Sequence, residues 1–325
     1  MDNRLEDIIE CLQQPMQQFE EAFDKNFHTD DALLNTILTH TNSLKGKRIR
    51  PLLVFLIAKT FGDITPQTLR AAIIIELLHT ASLLHDDVID SSKIRRNKTT
   101  VNALFGDRPA ILVGDYLYGK ALATIKTQED FNLMDVFARI ALNLPAGEIK
   151  ETDITNDKDT SIESYSKVIY YKTASLICAS TECGARSCGN KNVNLKEIAE
   201  LGEHIGMAFQ IRDDILDYDA NNLMGKGLGN DIREKKITLP FIHYLETLSD
   251  KEKDKAVDFF FGDNKSKEEI EDFIEKVNES GALQKTFKVQ KNYSDKALKI
   301  VDNMPLNEYS INLRALVQYL TIRNK

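Results

Sequence analysis

The sequence predicts an all-α protein, and we interpret its residues 1–325 as one helical domain. Amphipathic periodicity typical of helices recurs from end to end, without the alternation that would indicate βαβ units. Seven prolines and fifteen glycines among 325 residues are few, which favours long uninterrupted helices. A hydrophobic content of 42% is ample for a core, and no low-complexity linker divides the chain.

The strongest single element is the segment 71–90, which is apolar on nearly all sides. A helix of this composition is expected to lie buried in the centre of a bundle. A buried strand over Ile73, Ile74 and Ile75 is the alternative, but the surrounding pattern is too long for a strand.

Two later helices begin with capping signals. The residues Thr160-Ser161-Ile162-Glu163 resemble a capping box and predict a helix that continues through Lys172 toward Cys183. A second box at 266–269 precedes apolar residues with the spacing of one helical face, and Gly281 is the expected end. Residues 249–300 are rich in charge and predict peripheral helices with solvated faces.

The net charge of −8 argues against a nucleic-acid partner, so local positive groups must hold any anionic substrate. The four cysteines lack the spacing of a zinc site, and we expect free thiols in a reducing compartment. The N-terminus lacks the apolar core of a signal peptide, and the apolar stretch 71–84 is too short and too polar to span a membrane. We therefore expect a cytoplasmic protein without a transmembrane segment.

The most informative residues form two copies of one acidic pattern, with aspartates at i, i+1 and i+4. The copies are Asp86, Asp87 and Asp90, and Asp213, Asp214 and Asp217. On a helix these positions share one face, where like charges are unfavourable unless a cation holds them. Two such clusters far apart in sequence suggest two walls of one cleft with metal between them. Magnesium fits best, because it takes a few carboxylates and leaves other positions to water and substrate phosphates.

Basic and polar residues accompany the first motif. A basic turn occupies 46–51, and Arg95 and Arg96 follow the motif. Each is typical of a solvated surface when taken alone, but an arginine pair beside carboxylates can supply bidentate donors to phosphate. His79 lies two helical turns before Asp86 and faces the same way, although a lone histidine is more often a satisfied core residue.

The second motif has comparable neighbours. Gln210 lies on the helical face of Asp213 and Asp217. Lys172 interrupts an otherwise apolar helix. The simpler explanation than a functional role is a lysine side chain that reaches toward solvent. The segment 221–236 is rich in glycine and lysine but lacks the strand and spacing of a nucleotide loop, so we interpret it as a mobile basic lid.

Together these residues resemble the trans-isoprenyl diphosphate synthases, the polyprenyl synthetase family. The resemblance covers roughly residues 46–240 and 319–323. Its landmarks occur in the family's order, and they are Gly-Lys-Arg-Ile-Arg-Pro at 46–51, the first acidic motif with Arg95 and Arg96, Lys172-Thr173, Phe209-Gln210 with the second motif, Gly225-Lys226, and Lys236 before Thr238-Leu239-Pro240. One acidic motif alone is a weak signal, whereas two with these residues in order are specific.

The resemblance implies the isoprenoid synthase fold, an antiparallel helical bundle around a central apolar cavity, and it implies a homodimer. It also implies that both acidic motifs bind magnesium, three ions per active site, against the diphosphate of an allylic substrate. The residues implied to contact that diphosphate are Arg95, Lys172, Lys226 and, when the lid closes, Lys236. Those implied to hold isopentenyl diphosphate are Lys47, Arg50, His79 and Arg96. Those implied to surround a developing carbocation are Lys172, Thr173 and Gln210.

Three residues depart from the family pattern. Asn97 follows the arginine pair where glycine is usual, Glu151 replaces a glutamine, and Lys235 replaces a glycine. None of the three is an implied metal ligand.

The implied reaction is elongation of an allylic diphosphate by isopentenyl diphosphate. A terpene cyclase and a non-catalytic regulatory subunit of the same fold are alternatives, but both acidic motifs are complete. Ala81 and Ser82, the residues one turn before Asp86, are small, whereas family members that stop at farnesyl diphosphate often carry aromatic rings there. We therefore expect a long product, heptaprenyl to decaprenyl diphosphate for a quinone side chain, released with transient membrane contact. Leu78 or large residues at 113–125 would stop growth, and a farnesyl or geranylgeranyl product is the alternative.

Overall fold

The computed structural model describes residues 3–155, 160–219 and 228–322, and most of them are helical. The predicted all-α class is therefore confirmed. By Cα packing the chain forms two compact units. Unit one comprises Met1–Leu142, Leu176–Ala199 and Asn303–Ala315, and unit two comprises Asn143–Ser175, Glu200–Asp302 and Leu316–Lys325.

The first part of the chain contributes eight helices, a short 3₁₀ turn and a small hairpin to unit one. They are α1 (Asn3–Glu10), α2 (Gln13–Asp24), the 3₁₀ turn Lys25–Phe27, α3 (Ala32–Ser43), α4 (Ile49–Phe61), α5 (Pro66–Ile89), β1 (Ile94–Arg95), β2 (Lys98–Thr99), α6 (Val101–Phe105), α7 (Asp107–Ala123) and α8 (Gln128–Phe131). β1 and β2 pair antiparallel, with Ile94 opposite Thr99.

Most of the remaining described residues are also helical. Their elements are α9 (Met134–Thr155), α10 (Ile162–Ile169), a π-helical segment (Tyr170–Ala174), α11 (Ser175–Ser187), α12 (Leu195–Asp217), α13 (Asn230–Arg233), α14 (Leu239–Leu245), α15 (Asp250–Phe261), α16 (Lys267–Glu279), α17 (Ala282–Asp302) and α18 (Glu308–Ile322).

The helix α5 is the buried central helix that its composition predicts, so the strand alternative is wrong. Thr65 caps it in a box with Thr68, and Pro66 occupies the first turn, where its missing N–H leaves no hydrogen bond unmade. Along its length α5 packs against α4 and α7. A Cβ at Gly114 of α7 would lie 2.2 Å from Nε2 of His85, so a glycine is needed where α7 meets that side chain.

In unit two, α10 begins one residue later than the capping signal suggests. Ser161, not Thr160, caps the helix, because its side chain accepts the N–H of Ser164 at 3.1 Å. The helix then continues as predicted through Lys172 into α11, but residues Tyr170–Ala174 adopt a π-helix. Such wide turns inside α-helices occur frequently at functional sites.

Two glycines allow neighbouring helices to approach this π-helical segment closely. A Cβ at Gly206 of α12 would lie 2.4 Å from Cα of Ala174. A Cβ at Gly147 of α9 would lie 2.7 Å from Cγ of Lys172. Both helices therefore pack against the backbone and the lysine stem at distances that no larger residue permits.

The predicted capping box of α16 is confirmed, with the Ser266 side chain accepting the N–H of Glu269. The helix ends at Glu279, and Gly281 follows with φ +83°, a conformation that favours glycine. The cysteines are free thiols as expected; Cys11 is half-buried, and Cys178, Cys183 and Cys188 are buried. Over the described ranges, every helix is too short or too polar to cross a bilayer.

Gly206→Ala is expected to destabilise the protein, because the added Cβ meets backbone atoms of Ala174 that cannot move aside. Overpacking of this kind costs about 1–3 kcal/mol of unfolding free energy, which urea denaturation measures. Gly119→Ala is the control, because a Cβ at this position of α7 meets nothing within 4 Å. Equal stability of the Gly206→Ala and wild-type proteins would contradict the close approach.

Candidate active site

The first acidic motif lies at the C-terminal end of α5, where helix geometry gives way to a loop. Asp86 is half-buried, Asp87 is 1% exposed, and Asp90 caps the helix end by donating its backbone N–H to the carbonyl of Asp86 at 2.8 Å. Burial raises the pKa of Asp87, and the nearby charge of Arg95 partly offsets the effect. Nε of Arg95 donates to Oδ1 of Asp87 at 2.8 Å.

The carboxylate of Asp87 also shows that this site fits a cation. Its Oδ2 is buried and accepts no hydrogen bond within the described part of the chain. A buried acceptor left in this state is unfavourable unless a cation, or water bound to one, satisfies it. No group of three or more metal-ligating side chains converges in the described ranges.

The hairpin of β1 and β2 positions the arginine pair. Arg96 and Asn97 form its turn with φ of 52° and 62°, as two-residue hairpin turns require. Asparagine tolerates this conformation better than most residues, so Asn97 can replace the family's glycine. Nη1 of Arg96 donates to the carbonyl of Leu44 at 2.6 Å. A Cβ at Gly46 would lie 2.6 Å from this guanidinium, so glycine leaves room for the guanidinium in its present position.

Three of the residues implied to bind isopentenyl diphosphate, Arg50, His79 and Arg96, form a cationic cluster in unit one. His79 and Arg96 line one cavity with Asp87 and Arg95. Burial and then the charges of Arg50 and Arg96 hold the pKa of His79 well below 6.5, so the imidazole is neutral. Burial also lowers the pKa of Arg50 to about 10, and among described atoms its Nε has no hydrogen-bond partner.

Arg48 also belongs to this cluster. Lys47 is exposed on the loop before α4. Arg48, to which the resemblance gave no role, is 8% exposed and caps α4 with φ +55°. Its guanidinium pairs with Glu76 at 2.9 Å and Glu20 at 2.8 Å. The arginine cluster therefore contains an internal counter-charge, Glu76, three residues before His79.

The second acidic motif ends α12 in unit two, and its middle carboxylate is again buried. Asp213 is exposed, Asp214 is 3% exposed and Asp217 is half-buried. Oδ1 of Asp214 accepts from Nε2 of Gln210 at 2.9 Å, and Oδ2 accepts from the hydroxyl of Tyr165 at 2.5 Å. Burial raises the pKa of Asp214 to about 7 despite both hydrogen bonds.

Gln210 connects this carboxylate to the π-helical segment. Its Oε1 accepts from the hydroxyl of Thr173 at 2.8 Å, while its amide donates to Asp214. Lys172, which precedes Thr173 in the sequence, forms ion pairs with Glu148 at 2.7 Å and Glu151 at 2.6 Å. Thr173, Gln210 and Asp214 therefore form one hydrogen-bonded chain.

The described part of the expected lid segment binds Asp217. Its carboxylate accepts the backbone N–H groups of Asn230 at 3.0 Å and Asp231 at 2.9 Å. Lys236 pairs with Glu234 at 2.8 Å. Lys235 has φ +56°, the conformation that glycine favours at this position of the family pattern. Lys226 lies outside the described residues.

Sequence reasoning missed Tyr165 and Asp231. Tyr165 lies 49 residues before the carboxylate to which it donates, so no local pattern indicates the contact. Burial, together with the charges of Asp214 and Asp217, raises the pKa of Asp231 well above its usual value. The sequence signal that could have indicated Asp231 is its position beside a glycine-rich segment with acidic neighbours.

The residues implied to set product length lie on α5. Ala81 is fully buried, Leu78 is 4% exposed, and the half-buried Ser82 donates its hydroxyl to the carbonyl of His79 at 2.9 Å. The predicted floor residues at 113–125 belong mainly to α7, which buries Val113, Leu117 and Ala121.

In this mostly helical protein, the buried aspartate of the first motif accepts from Arg95, and that of the second accepts from Gln210 and Tyr165. The polyprenyl synthetase family model matches residues 31–277, and the chain belongs to this family of prenyltransferases.

Individual proteins agree with this assignment. The chain is 32% identical to an octaprenyl diphosphate synthase of Haemophilus influenzae over 98% of this chain and 97% of that protein. A decaprenyl diphosphate synthase from Rhodobacter capsulatus superposes with a TM-score of 0.92 at 27% identity, covering 99% of each chain. A polyprenyl synthase from Caulobacter crescentus, complexed with calcium and isoprenyl diphosphate, gives 0.90 at 28% identity, covering 99% of this chain and 98% of that one.

His79 is expected to titrate well below pH 6.5, because protonation would add a buried charge beside arginines. The unfolded chain then binds a proton that the folded chain does not, so unfolding free energy decreases as pH falls below about 6.5. NMR titration of the imidazole measures the pKa directly. His79→Gln should remove this part of the pH dependence, and a midpoint at 6.5 or above would contradict the assignment.

Proposed function

We propose that this chain repeatedly condenses isopentenyl diphosphate with an allylic diphosphate, in trans geometry, to a polyprenyl diphosphate of heptaprenyl to decaprenyl length. The observation that carries the proposal is that both acidic motifs are complete and each buries its second aspartate against a donor of the family pattern. These donors are Arg95 for Asp87 and Gln210 for Asp214. The octaprenyl and decaprenyl synthases to which the chain is similar support a long product.

Magnesium is the proposed cofactor, with three ions per active site. The residues that would hold it are Asp86, Asp87, Asp90, Asp213, Asp214 and Asp217. Bound magnesium supplies charge neutralisation for the diphosphate as it leaves. The unsatisfied Oδ2 of Asp87 and the high pKa of Asp214 both fit carboxylates that a cation would stabilise in the ionised form.

The basic residues of this chain bind and orient the two substrates. Arg95 and Lys172, with Lys226 and Lys236 of the lid segment, hold the allylic diphosphate. Lys47, Arg50, His79 and Arg96 hold isopentenyl diphosphate, with His79 donating from a neutral imidazole. Preorganised donors of this kind stabilise developing charge without reorganisation during the reaction.

The reaction then needs no protein nucleophile. The allylic C–O bond breaks and its electron pair leaves with the diphosphate, which generates an allylic carbocation. The double bond of isopentenyl diphosphate attacks that cation, and a proton is lost to the departing diphosphate. The hydroxyl of Thr173 and the amide oxygen of Gln210 face the cation in this proposal, and apolar helices exclude the water that would quench it.

We also propose that the chain acts as a homodimer. Unit one exposes large apolar side chains on α7, with Ile111 42%, Leu112 56% and Leu122 63% exposed, and Leu142 of α9 is 71% exposed. Several large apolar side chains exposed on one unit support an interaction site there. A cytoplasmic location and transient membrane contact during release of the apolar product remain predictions.

Turnover is expected to require magnesium or manganese and to fall strongly in Asp86→Ala and in Asp213→Ala. Loss of one of several electrostatic stabilisers costs about 2.7–4 kcal/mol, or roughly 10²–10³ in rate. Incorporation of labelled isopentenyl diphosphate measures the effect. Asp295→Ala is the control, because this carboxylate pairs with Lys291 on an exposed helix face. Near wild-type turnover in both motif variants would refute the metal assignment.

Ala81→Phe is expected to shorten the product while elongation survives, because the ring would block a chain that grows along α5. Chromatographic sizing of products from purified enzyme and each allylic starter measures the effect. Ala72→Phe is the control: Ala72 is equally buried, but nine residues earlier it lies on the opposite face of α5. A wild-type product no longer than geranylgeranyl, or unchanged length in Ala81→Phe, would contradict the open path.

A further inference from the structure

Lys172 is held between two carboxylates in unit two. Its Nζ lies 2.7 Å from Oε1 of Glu148 and 2.6 Å from Oε2 of Glu151, and the three side chains are only 17–22% exposed. Burial alone would lower the pKa of Lys172, but the charges of Glu151 and Glu148 outweigh it and raise the pKa. The lysine is therefore charged and paired with two carboxylates.

The backbone of α9 builds this arrangement. Glu148 and Glu151 lie three residues apart and share one helix face. Gly147 provides the space beside them, because a Cβ there would lie 2.7 Å from Cγ of Lys172. The lysine stem therefore crosses α9 at the glycine, and its ammonium reaches both carboxylates. We call Gly147, Glu148 and Glu151 the carboxylate cradle.

Glu151 is the distinctive member of the carboxylate cradle, since the family pattern has a neutral glutamine at this position. With glutamine, one carboxylate would contact the ammonium. With Glu151, a second carboxylate contacts it as well. An incoming diphosphate must compete with this second carboxylate for the same ammonium, at distances where Coulomb interactions are strong.

We infer that Glu151 is an affinity-setting residue, which competes with diphosphate for the ammonium of Lys172 and thereby weakens its hold on diphosphate. The inference rests on the proposed function, in which Lys172 contacts the allylic diphosphate. An enzyme that adds many isoprene units must release one diphosphate in every cycle, and release frequently limits turnover. A weakened contact favours that release. In the opposite role, Glu151 would hold Lys172 in place. Loss of Glu151 would then weaken the binding of diphosphate.

Glu151→Gln separates these roles because it removes the charge and keeps the size and a hydrogen-bond acceptor. The probe is inorganic pyrophosphate with magnesium, titrated calorimetrically into the full-length protein. We expect Glu151→Gln to bind it roughly 3- to 10-fold more tightly than wild type, with a lower KM for the allylic diphosphate and an unchanged KM for isopentenyl diphosphate. Glu163→Gln is the matched control, because Glu163 also pairs with a lysine, Lys167, on an exposed helix.

A double-mutant cycle tests whether Glu151 acts through Lys172. In a Lys172→Ala background, Glu151→Gln should leave pyrophosphate affinity unchanged. Three results would overturn the inference. Glu151→Gln could tighten pyrophosphate binding equally in the Lys172→Ala background, Glu151→Gln alone could weaken that binding, or neither wild type nor Glu151→Gln could bind pyrophosphate. The proposed function has a separate readout: a wild-type protein that binds pyrophosphate but forms no polyprenyl product would refute the function and leave the affinity comparison intact.

Discussion

Burial of one carboxylate in each acidic motif is the constraint on which the surrounding structure depends. Asp87 and Asp214 are 1% and 3% exposed, and an ionised carboxylate without partners is very unfavourable at such positions. Donors of the same unit reduce this cost. Arg95 comes from the hairpin after α5, Gln210 lies one turn before Asp214 on α12, and Tyr165 requires α10 to meet α12. The donors around Asp214 satisfy both of its oxygens, whereas the described donors around Asp87 satisfy Oδ1 alone.

Glycines decide how closely those elements can approach. Gly206 admits the backbone of the π-helical segment, Gly147 admits the stem of Lys172, and Gly46 admits the guanidinium of Arg96. In each case a single Cβ would occupy space already held by backbone or by a charged group. Close approach of backbone to a functional side chain is a use of glycine that no other residue can serve. The positions of the charged groups therefore depend partly on the absence of a Cβ at these three glycines.

Elements governed by local rules could be predicted from the sequence. The central helix α5 follows from its composition, and the cap of α16 follows from Ser266 and Glu269. The turn residue Asn97 and the left-handed Lys235 also make sense locally, since both replace glycines in the family pattern and both have positive φ. The cap of α10 was misplaced by one residue because Thr160 and Ser161 are both good caps. Tyr165, the two carboxylates on Lys172 and the π-helical segment could not be predicted, since each depends on packing between segments distant in sequence.

Arg50 illustrates what a prepared binding group implies for the protein that carries it. Its Nε is buried and, among the described atoms, without an acceptor, so the loss of hydration has already occurred during folding. An anion that binds at Arg50 gains a hydrogen-bond donor that is already desolvated. The folded chain gains the acceptor that Nε of Arg50 lacked. Such a ligand stabilises the native state in proportion to how far its concentration exceeds its dissociation constant. In the proposed reaction, the supply of the five-carbon building block would then govern the persistence of the folded enzyme as well as the rate at which it works.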